Sequence, residues 1–281
     1  MSSVETLAYS VSAAATAASF ALFILAARTA LRDSGEDPDR RGQLGIVRNV
    51  NGLALAAAVM GLLYAAAGLA VRGFAAGRWP LGSQFEFTLA FSASVLLLYL
   101  IVQRMAQAPQ AGAIATGLAL ALLVHAFFIQ PEALRAAQPL PPVMRGVWFS
   151  LHTLLSALAF GALTVAGGTA LGKLLVSSLP VPELVDSAMD IGYVALSLGM
   201  ICGAIWGEQA WGEYWSWGIK ETATLITWWI CTFYDHVRHR RGWRGQRVMG
   251  VASLALLGVL VTFFGTPALV RWGRLEQPRI Y

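Results

Sequence analysis

The stretch from Trp206 to Trp229, WGEQAWGEYWSWGIKETATLITWW, holds six of the ten tryptophans, with three glutamates and one lysine between them. An indole ring has a large flat face and one N–H donor, so it suits a boundary that is apolar on one side and wet on the other. Indoles this close together can form an interfacial belt or a shelf for a flat aromatic ligand. The interleaved charges favour the shelf, and we interpret the stretch as a binding surface.

The four histidines are the side chains best suited to hold a metal ion. Neutral imidazole is a common metal ligand and binds haem iron in many proteins. His125, His152 and His236 each lie near the end of an apolar run, where an ionisable group is usually functional, although each can also be a satisfied helix residue. His239 stands among arginines and is expected to be solvated. The similar depth of His125 and His152 on neighbouring helices raises the hypothesis that both bind one iron.

A set of residues in the tryptophan-rich stretch follows a known order and spacing: Trp211, Gly212, Tyr214, Trp215, Ser216, Trp217, Lys220, Glu221, Leu225, Ile226, Thr227 and Trp228. The pattern resembles WGxxWxWDxKExxxLITW, the signature of the CcsA/ResC/CcmC superfamily of haem-handling proteins in cytochrome c maturation. The resemblance covers roughly residues 75–265. A weaker match lies in GRWPLGSQFEF, where Pro80, Leu81 and Glu86 correspond to PLSNLYE. The carboxylate of Glu86 can also be only a helix cap.

The resemblance implies that haem, b-type or in transit, lies on the tryptophan-rich surface at the outer face of the membrane. It assigns cofactor binding to Trp206, Trp211, Tyr214, Trp215, Trp217, Glu221, Trp228 and Glu86. It makes His152 an external iron ligand and His236 an intramembrane one. The implied partners are a ResB/CcsB-like membrane protein, a c-type apocytochrome or multihaem cytochrome, and a thioredoxin-like reductant. The candidate cations for the haem propionates are Lys220, Arg78, Arg145 and Arg271.

Two departures from the superfamily separate the functional alternatives. The signature aspartate is Gly218 here, and the tail contains no histidine near Leu275, where the superfamily has its second external ligand. We therefore favour a divergent assembly factor that presents haem for thioether formation, as a component of a cytochrome c haem lyase system. The alternative is a membrane subunit of a respiratory or multihaem-cytochrome complex, either carrying haem b or free of haem.

The composition indicates a polytopic all-α membrane protein and not a nucleic-acid-binding one. Of the 281 residues, 57% are hydrophobic and 12% are charged, against roughly 25% charged in soluble domains. Cys202 and Cys231 fall in apolar runs and are expected to be buried free thiols. Eight runs reach the length of about 20 apolar residues that a membrane helix needs. They are 7–30, 50–71, 84–105, 111–129, 147–171, 188–206, 219–237 and 247–265.

The arginines predict the orientation of these spans in a cytoplasmic membrane. The 32–48 loop carries four arginines and the 238–247 loop carries five, so both loops are expected on the cytoplasmic side. Both termini and the segments 72–83, 130–146 and 206–218 then face outward, where the functional surface is expected. We expect one membrane domain over 1–281, in contact with lipid, and we see no internal repeat, which disfavours a small-solute transporter.

Overall fold

The computed structural model describes residues 1–32, 40–106, 109–176, 179 and 181–273, and all regular elements among them are helical. This confirms the predicted all-α class. Short 3₁₀ turns occupy Pro109–Ala111, Glu132–Arg135 and Pro142–Met144, and π-helical turns occupy His125–Ile129 and Val261–Gly265. The α-helices of these ranges are α1 (Ser3–Arg32), α2 (Arg40–Ala76), α3 (Gln84–Ala106), α4 (Gly112–Val124), α5 (Val147–Leu175), α6 (Pro182–Trp211), α7 (Ile219–His239), α8 (Gln246–Leu260) and α9 (Thr266–Gly273).

Seven helical segments within the described ranges are long and apolar enough to cross a membrane. They are Ser3–Thr29, Gly45–Ala76, Gln84–Ala106, Gly112–Ile129, Val147–Leu175, Pro182–Trp211 and Gln246–Leu269. The chain is therefore a multi-pass membrane protein. The eighth expected span, 219–237, forms the helix α7 but is not among the seven, because Lys220, Glu221, Asp235 and Arg238 make it less apolar. The orientation of the spans stays a prediction.

The helices extend past the apolar runs that predicted them. α2 begins ten residues before the predicted start of its span, and α6 begins six residues before. α2 also continues to Ala76, so the irregular part of the predicted 72–83 segment is only 77–83. At its end Gly77 adopts a φ of 62°, a left-handed conformation that glycine takes without steric cost and that commonly ends a helix.

The chain forms two compact units, and the expectation of one membrane domain stays a prediction. The first unit comprises Met1–Pro139 with Leu179–Val181. Its helices α1, α2, α3 and α4 pack in a ring, each against the next and α4 against α1. Small residues let α1 and α2 approach closely: Ser12 Oγ donates to the carbonyl of Gly61 at 2.8 Å.

The second unit comprises Leu140–Ser178 with Pro182–Tyr281. Its helices α5, α6, α7 and α8 form a ring of the same order. Close helix approach again depends on glycine, since a methyl group added at Gly192 would come within 2.6 Å of Leu163 Cδ2. Near the end of α7, Arg238 pairs with Asp186 and Asp190 of α6 at 3.3 and 3.1 Å. These contacts fix the register of α7 on α6.

Candidate functional site

The tryptophan-rich stretch is divided among the end of α6, the loop 212–218 and the first half of α7. α6 ends at Trp211, and Gly212 follows with a φ of 77° while its N–H donates to the carbonyl of Glu208 at 2.8 Å. The loop then folds back over Gly207, where an added methyl group would lie 3.1 Å from the carbonyl oxygen of Glu213. Gly207 and Gly212 thus place the loop against the last turn of α6.

Glu221 fastens the other end of this loop. Its carboxylate accepts the N–H of Ser216 at 2.9 Å, the N–H of Gly218 at 3.2 Å and the hydroxyl of Ser216 at 3.0 Å. Glu221 is the third residue of α7, so it also satisfies a backbone donor at the helix N-terminus. The structure therefore shows Glu221 as the residue that shapes the loop carrying Trp215 and Trp217.

The loop displays aromatic side chains that a globular core would bury. Tyr214 is 64% exposed and Trp217 is 70% exposed. Trp217 is the non-glycine residue with a positive φ, 58°, within the described ranges, a conformation that costs a bulky side chain roughly 1–2 kcal/mol. The ring of Trp215 packs edge-on against it, 6.1 Å away between ring centroids. The buried Nε1 of Trp215 has no hydrogen-bond partner among the described residues.

His152 of α5 lies against the α6 end of the stretch. Its Nδ1 is 2.8 Å from the carbonyl oxygen of Gly199, and a carbonyl only accepts, so Nδ1 carries the proton. The other ring nitrogen, Nε2, then has a free lone pair in the neutral imidazole, which is the form that binds metal. The ring is nearly parallel to that of Trp206, with 14° between the planes and 6.1 Å between centroids.

Trp206 links the imidazole to Trp211, the last residue of α6. Its Nε1–H donates to the carbonyl of Val143 at 2.8 Å, and its ring contacts Phe149 and Trp211 at centroid distances of 5.1 and 6.0 Å. We call His152 together with Trp206, Trp211, Tyr214, Trp215 and Trp217 the aromatic platform. Its chemistry suits a flat aromatic ligand: indole and phenol faces, an unpartnered indole N–H and an imidazole nitrogen of fixed tautomer.

The structure does not bring two other predicted site residues to the aromatic platform. Trp228 lies within α7, where its Nε1–H donates to Ser197 Oγ at 2.8 Å and its ring packs on Tyr193 of α6. Ser197 is 14 residues from the end of α6, about 21 Å along the helix at 1.5 Å per residue. His236 is exposed 15 residues past Glu221, about 22 Å along α7.

Glu86 and His125 belong to the first unit. Glu86 is fully buried, and its carboxylate accepts hydrogen bonds from Arg72 and Arg78 at 2.7–2.9 Å and from the N–H groups of Gly82 and Ser83. The carboxylate is thus fully engaged within the protein. His125 is half-buried and opens the π-helical turn after α4, a distortion frequent at functional sites. Its pairing with His152 stays a prediction.

Several residues that shape these sites carry no signal in the sequence. Arg72 looks like an interfacial charge at the end of an apolar run, yet it is 1% exposed and also pairs with Glu5 at 3.3 Å. Gly199 and Gly203 look like ordinary small residues of a membrane helix. A methyl group added at Gly203 would lie 2.6 Å from His152 Nδ1, so this glycine makes room for the imidazole. The expected free thiols are confirmed, since Cys202 and Cys231 are buried and unpaired.

The chain is similar in sequence to proteins of cytochrome c assembly. Residues 81–271 match a family model described as cytochrome C assembly protein. The cytochrome c biogenesis protein CcsA of Synechococcus sp. (strain CC9902) is 30% identical over 290 residues, covering 90% of this chain and 92% of that protein. CcsA of Prochlorococcus marinus (strain MIT 9313) is 30% identical over 243 residues, covering 72% and 76%.

A solved structure, cytochrome c heme lyase CcmF, superimposes with a TM-score of 0.66 at 21% sequence identity. The alignment covers 96% of this chain and 48% of CcmF, so the chain spans about half the length of that protein. At this identity the likeness concerns the fold alone.

Proposed function

The chain belongs to the cytochrome c assembly protein family, and from that premise we propose that its aromatic platform receives haem and presents it for attachment to a c-type cytochrome. Membership supports a role in c-type cytochrome assembly, and the finer assignment rests on the platform. The observation that carries it is the imidazole of His152, held in one tautomer by Gly199 and lying parallel to Trp206. Haem supplies the iron that such an imidazole binds.

The remaining parts of the aromatic platform support a porphyrin in three ways. Tyr214 and Trp217 offer exposed ring faces for stacking, and the buried N–H of Trp215 lacks an acceptor that a ligand would supply. The exposed rings of Tyr214 and Trp217 and the positive φ of Trp217 do not stabilise the fold. Features of this kind persist where they serve a ligand. Glu221 acts as a positioning residue that keeps the loop in this shape.

The proposed partners follow from what the chain itself does not provide. Its two cysteines are buried and unpaired, so the thiols that add to the haem vinyl groups come from an apocytochrome, kept reduced by a thioredoxin-like protein. The tail sequence contains no histidine near Leu275, and a ResB/CcsB-like partner would supply a second axial ligand. We propose that haem is presented at the outer face of the cytoplasmic membrane.

The proposal is tested by the absorption spectrum of the protein purified from a haem-replete membrane. We expect a Soret band in the wild type, its loss in His152→Ala, and its retention in the control His239→Ala, whose imidazole pairs with Asp235 at 2.9 Å, far along α7. A colourless wild type, or an unchanged spectrum in His152→Ala, would overturn the proposal.

A second measurement separates an assembly factor from a haem-carrying subunit of a respiratory complex. The purified, haem-loaded protein is mixed with a reduced apocytochrome peptide that contains CxxCH. Haem that leaves the protein and becomes covalently attached to the peptide is the outcome we expect. Haem that stays bound and undergoes reversible reduction would instead identify a b-type electron relay.

A further inference from the structure

The two units have the same internal architecture, although no repeat is apparent in the sequence. In each, four helices pack in a ring of the same order, and the fourth helix ends in a five-residue π-helical turn containing two adjacent phenylalanines. The turns are His125–Ile129 and Val261–Gly265, and a proline follows each of them two residues later. Four helices, one distortion and one proline thus recur in the same order.

Around the connection between the second and third helices, equivalent residues of the two units are separated by the same number of positions in the sequence. α2 and α6 end one residue before a left-handed glycine, Gly77 in one and Gly212 in the other. Nine residues later, as the third residue of the next helix, stands Glu86 in one and Glu221 in the other, each accepting N–H groups of the preceding loop. Each pair is separated by 135 positions. The same offset relates two buried tyrosines, Tyr99 and Tyr234.

A second pair of equivalent contacts identifies the residue of the first unit that corresponds to His152. In the first unit a methyl group added at Gly68 would meet the ring of Tyr9 at 2.5 Å, and in the second one added at Gly203 would meet the ring of His152 at 2.6 Å. Gly68 and Gly203 are also 135 positions apart. Tyr9 of the first helix of its unit therefore corresponds to His152 of the first helix of the other.

In the first unit, the surroundings of Tyr9, the counterpart of His152, are filled by side chains of the protein itself. The ring of Tyr9 packs edge-on against Phe85, with centroids 6.4 Å apart, and Phe85 is fully buried. Arg72 and Arg78 saturate the carboxylate of Glu86 and also donate to backbone carbonyls. The charged groups of this cluster are therefore paired within the protein, although the buried hydroxyl of Tyr9 has no hydrogen-bond partner among the described residues.

The second unit has Lys220 where the first has Phe85, since the two are 135 positions apart. Lys220 is exposed, and its ammonium group makes no ion pair or side-chain hydrogen bond within the described ranges. By register, Lys220 occupies the position from which Phe85 contacts Tyr9, the counterpart of His152. A position that is apolar and buried in one unit thus carries an ammonium group in the other.

The other cations considered from the sequence are less suited to an anionic ligand. Arg78 is engaged by Glu86, and the side chain of Arg271 lies outside the described residues. Arg145 donates its Nε–H to the carbonyl of Leu140 at 2.8 Å. Lys220 keeps all three of its donors for a ligand.

We propose that Lys220 is the specificity-determining cation of the aromatic platform, binding a propionate carboxylate of the porphyrin whose iron is held by His152. This inference rests on the proposed function and deepens it. It gives a function to the lysine that stands in the second unit where the first has an apolar contact between its first and third helices. It also agrees with the exposed rings of Tyr214 and Trp217 in the loop that precedes Lys220.

The test compares haem with its dimethyl ester, in which both propionates lose their charge, on the full-length wild type, Lys220→Met and Lys220→Arg. An exposed ion pair contributes up to about 1 kcal/mol, which corresponds to about a fivefold change in Kd. We expect Lys220→Met to weaken haem binding about fivefold and to leave ester binding unchanged. Lys220→Arg should restore haem binding, and Lys173→Met, which removes the other lysine of the chain, should leave both affinities at wild-type values.

Two patterns would overturn the inference while leaving the proposed function intact. One is wild-type affinity of Lys220→Met for haem. The other is an equal loss for haem and for the ester, which would show a structural role of the side chain. If the wild type binds neither ligand, the proposed function itself fails, and the role of Lys220 fails with it.

Discussion

Glu86 and Glu221 occupy equivalent helix starts but should respond very differently to removal of their charge. In Glu86→Gln the side chain keeps its shape while Arg72, 1% exposed, keeps only Glu5 as a charged partner at 3.3 Å. Removing one member of a buried ion pair costs about 3–5 kcal/mol, because the remaining charge is buried without compensation. For a chain of this size 1 kcal/mol shifts Tm by about 2–4 °C, so we expect a fall of about 6–20 °C.

The substitution Glu221→Gln weakens a helix cap whose side chain is half-exposed. Such a cap contributes about 1 kcal/mol, so the expected fall in Tm is about 2–4 °C. The loop that presents Trp217 is released, however, and haem affinity should fall more than stability. Glu86→Gln should retain haem at temperatures well below its own Tm, because its carboxylate is engaged within the first unit.

The assay for both variants is the intrinsic tryptophan fluorescence of the detergent-solubilised protein during heating, with haem titrations at 20 °C. Glu132→Gln is the control, because Glu132 is exposed, and surface substitutions of this kind change stability by less than about 0.5 kcal/mol. If Glu86→Gln melts within 2 °C of the wild type, or if Glu221→Gln is the more damaging of the two, the interpretation of the buried ion cluster is refuted.

Three further predictions concern the loop, the imidazole and the topology. Trp217→Gly removes the cost of a positive φ, so it should raise stability by about 1 kcal/mol in thermal unfolding while weakening haem binding; a loss of both would contradict this. Gly203→Ala should displace the imidazole and abolish the Soret band, whereas Gly250→Ala, which meets nothing within 4 Å, should keep it. If α7 crosses the membrane as its counterpart α3 does, an impermeant thiol reagent applied from outside should label Glu213→Cys but not Arg244→Cys. Labelling of both from one side would place α7 on the membrane surface.

The sequence predicted the membrane-embedded helices well, because an apolar run is a direct consequence of burial in lipid. The span 84–105 agrees with α3, Gln84–Ala106, and the run 147–171 lies within α5, Val147–Leu175. The prediction was weaker where helices leave the apolar layer, as α2 and α6 do. It also gave eight spans where seven segments of the described residues are apolar enough, because α7 carries charged residues at both ends.

Only those residues of the candidate site whose side-chain chemistry suggests a function could be predicted from the sequence. The tryptophans and His152 stand out by chemistry, and the structure brings His152 together with Trp206. The roles of Arg72 and Gly203 depend on partners far away in the chain and leave no local pattern. The repeated architecture leaves no clear pattern in the sequence for the same reason. Its shared positions are mostly small or capping residues, and the positions that differ carry the chemistry.

The proposed function requires that haem lie on the aromatic platform with its iron bound to His152. The most direct test is a density map of the full-length protein, loaded with haem and bound to its membrane partner. We expect a porphyrin stacked on Trp217 or Tyr214, with iron density continuous with Nε2 of His152. A map in which the rings of the platform contact only lipid, or in which haem lies elsewhere, would contradict it.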